Sequence, residues 1–104
     1  QLVFILQRGV RFPQGPPYMY YYVYLIASTN KKKTISYVGY TKNLKKRLSL
    51  HNSSKGAKFT KGRKWILVYY KKFLEKKIAM SEEFKLKKNY KLRNRLKDKY
   101  FNKI

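Results

Sequence analysis

An α+β fold, a small sheet with helices packed on it, is what this sequence predicts, and three observations point there. The run YYYVYLIA is dense in aromatic and β-branched residues and alternates as a strand does. Two further runs of that kind follow, SYVGY after a polar turn and WILVYYKKF after a helical segment. The last third of the chain carries apolar residues at helical spacing. The order strand, strand, helix, strand, helix, helix, in 104 residues, fits one domain with a single modest core.

The first strand spans Tyr20–Ala27, with Tyr20, Tyr22, Tyr24 and Ile26 on one face and Tyr21, Val23 and Leu25 on the other. Ser28–Lys33 is a polar, basic turn leading to a second strand, Ser36–Tyr40, so the two form a hairpin with a loop longer than the tightest types. Asn43 is placed to cap a helix from Leu44 to about His51, because its side chain can accept an otherwise unpaired backbone N–H. Asn52–Lys64 is a glycine-bearing basic loop, and Trp65–Phe73 the third strand. Helices follow over Ile78–Lys88 and Tyr90–Phe101, the latter with Leu92, Leu96 and Tyr100 at four-residue intervals. Residues 1–18 hold all three prolines and no periodic pattern. They are read as an unassigned segment outside the fold, of upstream or non-native origin, with Met19 as a natural start and residues 19–104 as the domain.

Charge and composition narrow the function. Twenty-seven Lys and Arg against four Asp and Glu give +23, which implies a polyanionic partner, nucleic acid before an anionic membrane surface. The plainer reading is codon bias, since only six of those cations are Arg. The chain has no Cys and one His, which excludes a thiolate metal site, a disulfide framework and a multi-ligand zinc site. No apolar run approaches the roughly 18 residues of a membrane span. The expectation is a soluble, intracellular protein.

Chemistry concentrates in Tyr37–Asn52. Arg47 and His51 lie one helical turn apart, on the side that also carries Leu44 and Leu48, where a cation is out of place unless it has a task. Among the four acids, Glu83 shares a helix side with Ala79 and Leu86, which turns a carboxylate inward, whereas Glu82 points about 100° away. The competing reading of Glu83 is an ion pair with Lys87, worth a few tenths of a kcal/mol. Lys55, Lys58, Lys61, Arg63 and Lys64 form a basic loop suited to phosphates, to which Asn52 and Thr60 can add neutral hydrogen bonds. The same loop also reads as a solvated one.

Five blocks in register then carry a resemblance. Tyr22-Val23-Tyr24, Tyr37-Val38-Gly39, TKNLKKRLSLHN, GAKFTKGRKW and AMSEEFKLKK follow one another as in the GIY-YIG nuclease domain family, over roughly Tyr20 to Lys88. The chain resembles the small stand-alone bacterial members of the UPF0213 group. That resemblance implies a three-stranded antiparallel sheet flanked by helices. It implies Tyr24 and Tyr37 at the border of an active site, Arg47 as the catalytic arginine, Glu83 as the ligand of a divalent metal (Mg²⁺ or Mn²⁺), and His51 as the histidine of many members. Departures are Tyr22 for the Gly of the first triplet, Val38 for the Ile of the second, and twelve residues between Tyr24 and Tyr37. Tyr22 is the change expected to alter the groove wall.

The resemblance implies a metal-dependent DNA endonuclease, structure-selective or weakly sequence-specific because the chain carries no appended reading module, acting in DNA repair or recombination. Tyr24 is the first choice of general base and Tyr37 the second, through positioning water. His51 is an alternative base, a phosphate-orienting group or a helix cap. Nearby Lys, Arg and the metal are expected to favour the phenolate. The rival class is a non-catalytic basic nucleic-acid-binding module, and a third reading is a catalytic subunit awaiting a protein partner.

Overall fold

The computed structural model describes residues 20–29 and 33–101. The expectations for residues 1–18, for Met19 as a start and for the centre of the hairpin turn lie outside them. Three strands, β1 (Tyr21–Thr29), β2 (Thr34–Thr41) and β3 (Ile66–Phe73), form one sheet in the order β2-β1-β3, with both pairings antiparallel. The helices are α1 (Leu44–Asn52), α2 (Lys76–Lys88) and α3 (Tyr90–Phe101), with a single 3₁₀ turn at Lys58–Thr60. The architecture is the expected α+β arrangement. β2 extends beyond its predicted ends, and α2 starts two residues before Ile78.

β1 is buried on both faces because it is central and both faces are covered, which is why its sequence reads as a nearly continuous apolar and aromatic run. Tyr22, Tyr24 and Ile26 pack with Leu44 and Leu48 of α1 and with Trp65 and Leu67. Val23 and Leu25 pack with Val38 and with Ala79 and Leu86 of α2, while Leu92 and Leu96 of α3 close that layer. The predicted alternation along β1 is therefore the division between two hydrophobic layers.

β3 does not keep simple alternation. Its pairing with β1 slips between Leu25 and Ile26, which face Tyr69 and Leu67, leaving Val68 as an extra residue. This bulge puts Leu67 and Tyr70 in the same layer, although strict period-two geometry would send them to opposite faces. Tyr22, expected to reshape a groove wall, is instead buried in the α1-side core, edge-on to Tyr70 with ring centroids 5.9 Å apart.

The candidate active site

α1 begins where the sequence predicts. The Asn43 side chain accepts the Lys46 amide at 3.1 Å, and its own amide donates to the Thr41 hydroxyl at 3.2 Å, so strand end and helix start are fixed together. With Leu44 and Leu48 buried against the sheet, the same helix side carries Arg47 and His51 onto Tyr24. Arg47 Nε donates to the Tyr24 hydroxyl at 3.4 Å, and that hydroxyl lies 2.8 Å from His51 Nε2.

Tyr24 reaches this point by crossing its neighbour strand. It stands directly opposite Gly39, and a Cβ at that position would sit 2.6 Å from Tyr24 Cζ and closer still to its hydroxyl oxygen. The glycine of the second triplet is the space that the tyrosine of the first one fills. Gly56 serves His51 in the same way, since a Cβ there would lie 2.9 Å from the imidazole Cγ and closer to Nδ1.

His51 is fully buried, with its ring 5.1 Å from that of Tyr37 and set edge-on to it. Its Nδ1 lies 2.9 Å from the Thr60 hydroxyl, which also meets the Ala57 carbonyl at 2.9 Å and the Ala57 amide at 3.2 Å. A hydroxyl has one proton. Donated to the Ala57 carbonyl, that proton leaves the oxygen as acceptor for both Ala57 N–H and His51 Nδ1–H. Nε2 is then bare and accepts the Tyr24 O–H. This proton order gives every donor in the line an acceptor.

Electrostatics agree with this assignment. Burial, then the nearby Arg47 charge, pushes the His51 pKa down to about 4, so the ring is neutral. Burial pushes the Tyr24 phenol up to about 12, against the opposing pull of Arg47, with Tyr37 and Glu83 adding to the rise. Without a metal, desolvation of this 2% exposed residue outweighs one guanidinium, so Arg47 alone does not bring the phenol to phenolate. Burial also works against the charge of Arg47, but the phenols of Tyr24 and Tyr37 overcome it and hold its pKa above the usual value.

Glu83 satisfies both readings made of it. Its side chain is only 19% exposed and its charge is felt at the Tyr24 phenol, yet it also pairs with Lys87 at 3.6 Å. Glu82, at 37% exposure, pairs with Lys85. Among the described residues no three His, Cys, Asp or Glu side chains come together. A hard divalent cation held by Glu83 alone would keep most of its water. Tyr24, Tyr37, Arg47 and His51 meet at one corner of the β1–β2 pair, and the charge of Glu83, on α2, reaches the Tyr24 phenol.

The basic loop divides. Lys55, Lys58, Lys61 and Lys64 are exposed, while half-buried Arg63 donates to the Ser28 hydroxyl at 3.3 Å. Asn52 and Thr60, expected to meet phosphate, are spent inside the fold. Asn52 clamps both backbone polar groups of Trp65, its Nδ2 donating to the carbonyl at 3.0 Å. Thr60 is fully buried beneath His51, and its carbonyl accepts Trp65 Nε1–H at 2.9 Å. What the sequence reading passed over is Phe59. Its ring stacks nearly parallel on Tyr37, centroids 6.1 Å apart, and the only signal was a large aromatic inside a cationic loop.

The profile of the GIY-YIG catalytic domain matches residues 20–97. A UPF0213 protein of Oceanobacillus iheyensis is 43% identical over 68 residues, covering 64% of this chain and 76% of that protein. One from Streptococcus pyogenes serotype M5 is 46% identical over 68 residues, covering 64% and 71%. One from Bacillus pumilus is 48% identical over 52 residues, covering 49% and 53%. No solved structure matches the chain significantly.

Proposed function

The chain belongs to the GIY-YIG catalytic domain family, and from that premise we propose that it is a divalent-metal-dependent DNA endonuclease. It hydrolyses phosphodiester bonds to 5′-phosphate and 3′-hydroxyl ends, with structure-selective or weak sequence preference, in DNA repair or recombination. The observation that supports this reading is a guanidinium, two phenols and a neutral imidazole meeting at one corner, with the charge of half-buried Glu83 acting on one of the phenols.

Arg47 is the group for the phosphate. It stays charged, and its fork can meet two phosphate oxygens as negative charge grows on them. Its 3.4 Å contact to Tyr24 is the longer of the two at that hydroxyl, and it is the one that yields when the guanidinium turns to substrate, baring the phenol oxygen to water. Tyr37, half-buried beside it, orients that water. The water oxygen bonds phosphorus as the bond to the 3′ oxygen breaks. The water proton passes to Tyr24 Oη while the Tyr24 proton passes to His51 Nε2, so a phenol of raised pKa never stands as phenolate. The departing 3′ oxygen takes a proton from solvent. Glu83 is the residue that would hold Mg²⁺ or Mn²⁺, whose chemistry there is Lewis-acid stabilisation of the phosphate and the leaving oxygen.

The test is cleavage of supercoiled plasmid and branched DNA with Mg²⁺. Arg47→Ala and Glu83→Gln should each slow cutting about 10²- to 10³-fold, the scale of lost electrostatic stabilisers. Parent-like rates in both would remove the site assignment. Binding without any cutting by the parent would leave a nucleic-acid-binding module.

A further inference from the structure

Phe59 is 58% exposed, an unusual place for a large apolar ring beside Lys58 and Lys61. It is nevertheless held in position. The 3₁₀ turn that carries it is closed by the Thr60 hydroxyl on Ala57 and by Trp65 Nε1 on the Thr60 carbonyl. Tyr37 supports the ring at 6.1 Å and 21°, and Trp65 lies 6.4 Å away, tilted by 43°. The unsupported part of the ring faces solvent.

An open depression of about 310 Å³ lies beside it, lined by Ser36, Tyr37, Val38, Phe59, Lys87 and Arg93. Its lining thus combines two aromatic rings with two cationic side chains. Arg93 is fixed by donating to the Leu86 carbonyl at 3.2 Å and to that of Lys87, at the C-terminal end of α2. Two lining residues belong also to the active corner: Tyr37 touches Arg47 electrostatically, and Lys87 pairs with Glu83. The depression therefore adjoins the residues around Arg47 and Glu83. Its volume falls at the small end of ligand pockets, roughly 300–1,000 Å³, which suits one nucleotide and not a base pair.

From this, and resting on the nuclease reading above, we infer that the Phe59–Tyr37 stack and the adjoining depression bind the base of an unpaired nucleotide next to the cleaved phosphate. An aromatic platform accepts any base, because each has a π-face, while the cations hold its phosphate. Bases within a duplex have their faces covered by neighbours and their edges paired, so only single-stranded or locally unpaired DNA reaches the platform. The substrate class that follows is DNA with an unpaired nucleotide at the cut, with little preference for which base.

The experiment measures binding of the full chain in EDTA, where no cutting occurs, at one fixed salt concentration. The probes are fluorescent oligothymidylate, a duplex of equal length and the same duplex with a one-nucleotide bulge. Phe59→Leu should weaken binding of the first and third by roughly 5- to 150-fold, the range for one lost base stack, and leave the plain duplex within about twofold. Phe59→Tyr should keep parent affinity for all three. Equal loss on all three probes, or no loss on any, overturns the assignment. Emission from Trp65, the single tryptophan, checks that each variant is folded. Failure here with intact Mg²⁺-dependent cutting removes the subsite alone. The expected contrast without cutting removes the nuclease reading and keeps the subsite.

Discussion

At the scale of single residues, the chain Tyr24–His51–Thr60 is a line of hydrogen bonds with one proton order. His51 is neutral in the fold with a pKa near 4, against about 6.5 when unfolded. Its folded pKa is depressed, so the stability it contributes is complete above pH 6.5 and lost as pH falls towards 4, by at most about 3 kcal/mol. Urea unfolding at pH 7, 5.5 and 4 should show that decline, and His51→Gln should flatten it even if its own baseline is lower. Thr60→Val removes the acceptor that holds the Nδ1 proton. Nitrogen NMR of His51 should then show mixed tautomers in place of one, and Thr60→Ser should restore the single form. Gly39→Ala forces a methyl into the Tyr24 ring and should cost about 1–3 kcal/mol by overpacking, with loss of cutting. Residue identities in this corner were legible because a cation and an imidazole beside an apolar stripe conflict with plain core packing. Directions of approach were not. Sequence spacing offers Asn52 and Thr60 to solvent phosphate as readily as to the interior, and only the return of the loop over His51, permitted by Gly56, decides between them.

At the scale of elements, α1 is the part that sequence specifies most fully. Its cap, its two buried leucines and the two residues it turns toward Tyr24 all follow from one helical period. Asn43→Ala removes the cap and should lower stability by about 1 kcal/mol, read from the urea midpoint, while cutting per folded molecule stays near parent because Arg47 sits a full turn further on. β1 was legible for the complementary reason, since a strand covered on both sides has no polar face to confuse the pattern. β3 was only half legible. The bulge at Val68 shifts its parity, and a bulge is a response to partner strands and core volume that no local propensity encodes. Glu83 was legible as an inward acid through its spacing from Ala79 and Leu86. Its simultaneous pairing with Lys87 shows that two sequence readings set against each other can both hold on one helix side.

For the whole molecule, a formal charge of +23 on 104 residues dominates any encounter with DNA. Binding should therefore weaken steeply with salt, and replacing Lys58, Lys61 and Lys64 by Ala should lower the slope of log affinity against log salt by about one for each lysine that meets a phosphate. The same triple change should leave the tautomer of His51 untouched, because those lysines are exposed and outside the Tyr24–His51–Thr60 line. Charge was fully legible in the sequence and informative about partner class. It was silent about position, since lysines stand on most surfaces of this chain and the groups that distinguish one corner are few and mostly uncharged.

The central place of β1 also has a meaning in time. A ribosome delivers β1 and then β2, which can pair at once as a local hairpin, but the other edge of β1 stays open until Phe73 arrives to face Tyr21. His51 and Thr60 emerge in that interval, and Glu83 only after it. A nascent chain thus spends part of its synthesis with a bare aromatic edge, when chaperone protection matters most. Glu83, whose charge acts on Tyr24, joins the fold only once α2 has formed.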